Sequence, residues 1–227
     1  MKFYPDKEYT RSDVTDWCNN NSTLRNEVFE KVLGKLDLKE VEALFPQIFE
    51  EAQKKADDCQ IFMGGPGDLT LLYHLSKQSK TQYAIETGVA FGWSSLAILL
   101  GIKDQDSSKL ISIDMPYVQG NNEPYVGSIV PEALRKNWTL LRQADRQGLP
   151  KALKMVPYLD LCHYDSDKSY YGRRWAYPKL WEALKTGGIF ISDDIQDNWA
   201  FKEFCEDVNR KPQIVEFDTK YVGIIQK

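Results

Sequence analysis

Apolar residues recur at three- and four-residue intervals through much of the first eighty positions. Leu24 to Leu36 and Lys39 to Ala56 both carry this spacing, which gathers the apolar side chains on one face of a helix. Pro46 falls inside the second run and predicts a kink or a division there, because proline removes a helical donor. Gly64-Gly65-Pro66-Gly67 breaks the pattern as a loop. Asp68 then stands where an N-cap would open a helix over Leu69 to Ser76.

From Gln82 the rhythm changes. Short apolar, β-rich runs occur at Tyr83–Glu86, Leu110–Asp114, Thr139–Gln143, Leu159–Tyr164 and Gly188–Ser192. Helical stretches alternate with them at Ser94–Leu100, Pro131–Asn137, Leu149–Met155, Trp175–Lys185 and Trp199–Val208. Such alternation predicts an α/β fold, a doubly wound parallel sheet with helices on both faces. Gln213–Phe217 and Tyr221–Ile225, separated by a few residues including Asp218 and Thr219, predict a closing hairpin. The pattern divides the chain into an N-terminal helical extension or lid over residues 1–80 and a main domain over residues 81–227.

Composition narrows the function classes. A net charge of −4, with scattered lysines and arginines, gives no stripe for a nucleic-acid backbone. The longest apolar run, Leu96 to Leu100, is far too short to span a bilayer, and the first residues carry no apolar signal core. Cys18, Cys59, Cys162 and Cys205 lie far apart without a CxxC pair, so reduced thiols and a cytoplasmic location are expected. Only His74 and His163 could serve as imidazole ligands, which disfavours zinc.

The chemistry concentrates where the first main-domain strand turns into a helix, in Glu86-Thr-Gly88-Val-Ala90-Phe-Gly92. No Gly-Lys-Ser/Thr follows, so this is not a P-loop. Ala90 holds the middle place of a G-x-G-x-x-G pattern and the third glycine is absent, which disfavours a dinucleotide pyrophosphate. Glu86 would repel a phosphate but welcome a cation or an amine. Asp114, 22 residues after Gly92, stands at the next strand end, where a carboxylate can accept from ribose hydroxyls. An ammonium near the turn and a ribose at Asp114 describe S-adenosylmethionine.

The turn resembles motif I of the class I S-adenosylmethionine-dependent methyltransferases. "ETGVAFGWSS", "ISIDMP", "HYDSDKSY" and "GGIFISDD" follow in that family's order and are similar to the small-molecule and sugar O-methyltransferase group. The resemblance covers Tyr83 to Lys227. It implies a Rossmann-like seven-stranded sheet in the order 3-2-1-4-5-7-6 with the last strand antiparallel. It also implies a cofactor site built from Glu86, Gly88, Ala90, Gly92, Ser94, Asp114, Met115, Ala144 and Asp145. Asp145 reads either as the acceptor for the adenine amino group or as an N-cap for the helical run after Gly148.

Asp165 and the Asp193-Asp194 pair end neighbouring strands of such a sheet. Clustered carboxylates repel unless a cation neutralises them, and hard oxygen ligands suit Mg2+, Mn2+ or Ca2+. The catechol-type O-methyltransferases imply this metal role for Asp165, Asp193 and Asp194, with Asp194 in place of an amide. They also imply a catalytic part for Lys168, three residues after Asp165, although the nearest "DSDxSY" pattern usually carries histidine there. Lys168 reads as a general base, a substrate clamp or a solvated lysine. His163 reads as a site residue or a packed strand histidine. Tyr117, Tyr125, Tyr170, Tyr171, Trp175 and Tyr177 either stack on an acceptor or line the core, and the loop from Tyr117 to Gly127 has the composition of a cover over the cofactor.

The expected activity is methyl transfer to a small hydroxylated acceptor, a sugar or natural product, assisted by a divalent metal. A metal-independent N- or O-methyltransferase and a non-catalytic S-adenosylmethionine-binding protein are the competing readings. The helical N-terminus offers a surface for a homo-oligomer.

Overall fold

A computed structural model describes residues 7–34, 38–61, 63–117 and 122–227. The main-domain strands are β2 (Tyr83–Thr87), β3 (Lys109–Asp114), β4 (Trp138–Arg142), β5 (Leu159–Tyr164), β6 (Leu184–Ser192), β7 (Gln213–Phe217) and β8 (Lys220–Gln226). A two-residue strand, β1 (Ser22–Thr23), joins the sheet edge parallel to β7. The order is β1-β7-β8-β6-β5-β2-β3-β4. Without β1 this is the expected seven-stranded order, and β8 runs antiparallel to both β6 and β7. The sheet reverses direction of growth at β2, so β2 and β5 flank the crevice where ligands of this architecture collect.

The helices are α1 (Lys7–Asn21), α2 (Arg25–Leu33), α3 (Val41–Leu44), α4 (Pro46–Asp57), α5 (Leu69–Gln78), α6 (Trp93–Ile102), α7 (Glu132–Arg135), α8 (Asp145–Leu153), α9 (Tyr170–Ala183) and α10 (Ala200–Asp207). Pro46 does divide the second N-terminal run, standing in the first turn of α4 where its missing N–H is harmless. Asp68 caps α5 by accepting from the Leu71 amide at 2.9 Å. The run expected to reach Leu36 ends at Leu33, closed by Gly34 in a left-handed C-cap, and residues 35–37 lie outside the described residues.

Alternation along the strands feeds two cores. Ala84, Leu161, Ile189 and Ile191 face one side, with α5, α6 and the helices α2 to α4. Ile85, Ile111, Cys162 and Phe190 face the other, with α8, α9, α10 and α1. Helix α6 is buried on nearly every side, which explains its lack of a polar face. Each fully buried Leu or Ile here contributes roughly 1.5–3 kcal/mol. The N-terminal segment shares both cores: Val14 and Cys18 enter one, Val28, Phe29 and Phe49 the other.

Several element boundaries differ from expectation, most of all at the starts of α8, α9 and β6. Helix α8 begins at Asp145, not Leu149. Helix α9 begins at Tyr170 because the Ser169 hydroxyl caps it, accepting from the Gly172 amide at 3.0 Å, and Lys185 already belongs to β6. The β7–β8 turn puts both Asp218 and Thr219 at positive φ, the geometry of a two-residue hairpin matched to strand twist. Among the described residues, no helix is long and apolar enough to cross a membrane.

Candidate active site

A cavity of about 870 Å³ opens at the carboxyl edge of the sheet. One end is the turn after β2. Gly88 adopts φ +83°, and a Cβ there would collide with the Asp165 carbonyl, so glycine lets β2 and β5 tips meet. The Gly88 amide donates to Ile113 O at 2.8 Å and the Ala90 amide to Asp114 Oδ2 at 3.1 Å. The second bond holds Ala90 in a left-handed conformation, φ +48°, that an alanine rarely adopts. Gly92 caps α6 but looks away from the cavity, towards Gly127 and Val130.

Asp114 pairs with Arg142 at 3.2 Å, and Arg142 is also gripped by Glu123. Burial raises the Asp114 carboxyl against the pull of Arg142. Asp145 lies in the first turn of α8, and Ala144 is the N-cap residue, so the N-cap reading of Asp145 is corrected. Its carboxylate instead accepts from the Ser166 hydroxyl at 2.5 Å, and burial raises it. Gly88, Ala90, Ser94, Asp114, Met115, Ala144 and Asp145 all line the cavity.

Glu86, expected in the cofactor site, does not line the cavity. It is fully buried beneath the turn, accepting from the Ser95 hydroxyl at 2.5 Å and the Ser112 hydroxyl at 2.7 Å. Its other oxygen faces His163 Nδ1 at 3.6 Å, and His163 Nε2 faces Asp193 Oδ2 at 3.5 Å. Burial alone would lower the imidazole, but Asp193 and Glu86 outweigh it and raise His163 to about 10, so the ring is an imidazolium at neutral pH. His163 is thus a packed strand histidine with a charge.

At the other end, Lys168 Nζ lies 3.1 Å from Asp165 Oδ1 and bonds to Asp194 Oδ2. Burial opposes the ammonium, but these two carboxylates hold the lysine above its usual value. Burial and the Asp193 charge raise the Asp165 carboxyl. Burial would raise Asp194 as well, yet Lys168 keeps it below the usual carboxylate range. Lys220, at the start of β8, reaches Asp194 Oδ1 at 3.5 Å. Asp194 itself sits at φ +51°, a strained backbone of a kind that costs of order 1–3 kcal/mol and clusters at functional sites. Asp165, Lys168 and Asp193 line the cavity; Asp194 stands behind them.

The three acids therefore present no common oxygen cage. Asp165 and Asp194 share the Lys168 ammonium and Asp193 faces His163, and among the described residues no group of three or more His, Cys, Asp and Glu side chains is arranged to hold a metal.

Of the six aromatic candidates, Tyr117 lines the cavity and the others do not. Tyr177 is core, fully buried and bonded to the Ser192 hydroxyl at 2.7 Å. The expected cover from Tyr117 to Gly127 includes residues 118–121, which lie outside the described residues. The wall also includes Met63, Gly64, Gly65, Gly67, Trp93, Arg146 and Lys220, which sequence reasoning did not assign to a site. The glycine-rich loop at residues 64–67 was a usable signal; Lys220 had none.

Residues 85–195 match a family model described as a methyltransferase domain. A cofactor-bound protein from MTB is similar in fold, with a TM-score of 0.67 at 11% identity, over 84% of this chain and 98% of that one. An O-methyltransferase from Bacillus cereus in complex with S-adenosylhomocysteine has a TM-score of 0.60 at 12% identity, over 92% of this chain and 100% of that one. The O-methyltransferase TomG from Streptomyces achromogenes, involved in tomaymycin synthesis and solved with S-adenosylmethionine, has a TM-score of 0.63 at 12% identity, over 99% and 100%. No curated protein matches the chain in sequence.

Proposed function

We propose that this chain, a methyltransferase built on the class I S-adenosylmethionine-dependent fold, methylates an oxygen of a small molecule without a divalent metal. The observation that carries the metal-free reading is the Lys168 ammonium held between Asp165 and Asp194, where the family resemblance implied a cation. The residues fit a metal poorly: a divalent ion would have to displace that ammonium and compete with His163 for Asp193. The solved neighbours with bound S-adenosylmethionine or S-adenosylhomocysteine support the cofactor, and the O-methyltransferases among them support oxygen as the acceptor atom.

In this reading the glycine turn receives the amino-acid part of the cofactor, Asp114 the ribose and Asp145 the adenine. A cavity of about 870 Å³ leaves room for a small acceptor beside it. Residues 81–227 form the transferase domain, and the extension over residues 1–80 shapes the acceptor end through Met63, Gly64, Gly65 and Gly67.

Lys168 is already protonated, so it serves as a charge and not as a base. Its ammonium lowers the pKa of the acceptor hydroxyl and holds the oxygen as it ionises. Asp165, raised by burial and by Asp193, takes the proton. The new oxygen–carbon bond forms in line as the carbon–sulfur bond breaks, and the sulfonium leaves as a neutral thioether.

The test is S-adenosylhomocysteine production from S-adenosylmethionine over a panel of phenols and polyols, with and without EDTA. Equal turnover in both is expected. Loss in EDTA with recovery in Mg2+ would restore the metal. Calorimetric binding of S-adenosylhomocysteine with no product from any acceptor would favour the non-catalytic reading.

A further inference from the structure

Arg173 in α9 has the largest fully buried side chain among the described residues, with no solvent-exposed area. Its NH2 group donates to the Asp193 carbonyl at 3.2 Å and to the Asp194 carbonyl at 2.9 Å. The same nitrogen lies 3.7 Å from Asp197 Oδ2. The Nε and NH1 groups find no hydrogen-bond acceptor among the described residues.

This is a poor arrangement for stability alone. A buried guanidinium with two empty donor groups leaves desolvation largely uncompensated, and an apolar side chain of similar volume would fill the space at lower cost. What the arrangement does provide is a clamp on the two peptide groups either side of the Asp194 Cα. Asp194 is the residue at φ +51°. With that left-handed step Asp193 reaches His163 while Asp194 still reaches Lys168, and both Asp193 and Lys168 line the cavity. In a relaxed extended backbone the two side chains would alternate across the strand and the Lys168 pair would be lost.

We infer that Arg173 is a positioning residue, which holds the strained Asp193–Asp194 step and thereby sets where the Lys168 ammonium sits. It touches neither cofactor nor acceptor and acts through the loop. The clamp extends outward: Asp197 pairs on its far side with Arg11 of α1 at 3.5 Å, so the N-terminal helix braces the same loop. The functional meaning of the Lys168 position rests on the reading in the preceding subsection; the geometry does not.

The experiment compares Arg173→Met, which removes the donors, with Arg173→Gln, which keeps an amide donor without the charge. Crystal structures of both, grown with S-adenosylhomocysteine, give a readout independent of turnover. In Arg173→Met, Asp194 is expected to leave positive φ and the Lys168–Asp194 pair to open; in Arg173→Gln both are expected to persist. Turnover should fall at least about tenfold in Arg173→Met at unchanged acceptor saturation, with cofactor affinity within about twofold, and Arg173→Gln should recover most of it. An Arg173→Met structure with Asp194 still at positive φ and the pair intact would overturn the inference. If Arg173→Met does not fold, Arg173→Gln alone decides: a relaxed Asp194 with the amide still donating to the two carbonyls sinks the idea, and so does Asp194 at positive φ with the amide out of their reach. Wild-type protein that transfers no methyl group would count against the proposed activity and leave the structural comparison standing.

Discussion

At one end of the cavity the wall is a single turn and the tips of β3 and β4, and most of its fit comes from backbone: Gly88 against the Asp165 carbonyl, Ala90 N–H against Asp114. At the other end the wall comes from the loop at Met63, Gly64, Gly65 and Gly67, from Asp165 to Lys168, from Asp193 and from Lys220, and the fit comes from the charges of Asp165, Lys168, Asp193 and Lys220. Burial raises the Asp114 and Asp145 carboxyls although each has protein partners, Arg142 and the Ala90 amide for the first and the Ser166 hydroxyl for the second. Asp165, Asp193 and Asp194 have theirs in Lys168, His163 and Lys220. A backbone-built end tolerates little change in shape. A charge-built end tolerates little change in sign.

The largest effect should come from shape. Gly88→Val puts a branched Cβ into the Asp165 carbonyl at a positive φ, and S-adenosylhomocysteine binding should vanish from calorimetry, with a lowered Tm. Undiminished binding would mean that the turn does not form the cofactor site. The next effect is one of sign. Lys168→Met should lower turnover by about 10²-fold, in the range seen when one oxyanion donor is removed. The pH needed for half-maximal rate should rise as well, because the acceptor ionises less readily. Unchanged turnover in Lys168→Met, or a pH midpoint left where the wild type has it, would remove the ammonium from the reaction.

Asp114→Ala tests the same contrast more gently. Loss of one or two charge-assisted hydrogen bonds, about 1.5–3 kcal/mol each, should weaken S-adenosylhomocysteine by tenfold or more and leave acceptor KM nearly unchanged. An effect on acceptor KM alone would place Asp114 on the wrong side of the comparison. The smallest expected effect concerns the boundary between the two ends. His163 rises from 6.5 in the unfolded chain to about 10 in the fold, so its contribution to stability is complete below pH 6.5 and fades as pH climbs towards 10. Tm should therefore slope downward across that window, and His163→Gln should flatten the slope. A slope that survives the substitution would assign the pH dependence to other groups.

The sequence by itself determined much of the frame. Short β-rich apolar runs alternating with helical ones are the pattern of a parallel sheet covered on both faces, which specified β2 to β6 and their helices. Asp68 before Leu69 and Asp218-Thr219 between two strands are local signals, read by local physics, and the structure follows them. The glycine turn was legible because one short segment supplies its backbone geometry. Helix α8 was misread at its start because Asp145 needed Ser166, twenty-one residues on, to fix its carboxylate.

What only the tertiary structure decided is the pairing of charges. Nothing within a few residues of Glu86 tells that Ser95, Ser112 and His163 will close over it, since each arrives from a different element. Lys220 is separated from Asp194 by twenty-six residues and a helix, and Arg173 finds the Asp193 and Asp194 carbonyls only once α9 packs on β6. A carboxylate in a sequence is compatible with a metal, a lysine or a buried imidazolium. Coulomb energy depends on distance and on exclusion of water, and both are set when the chain has folded.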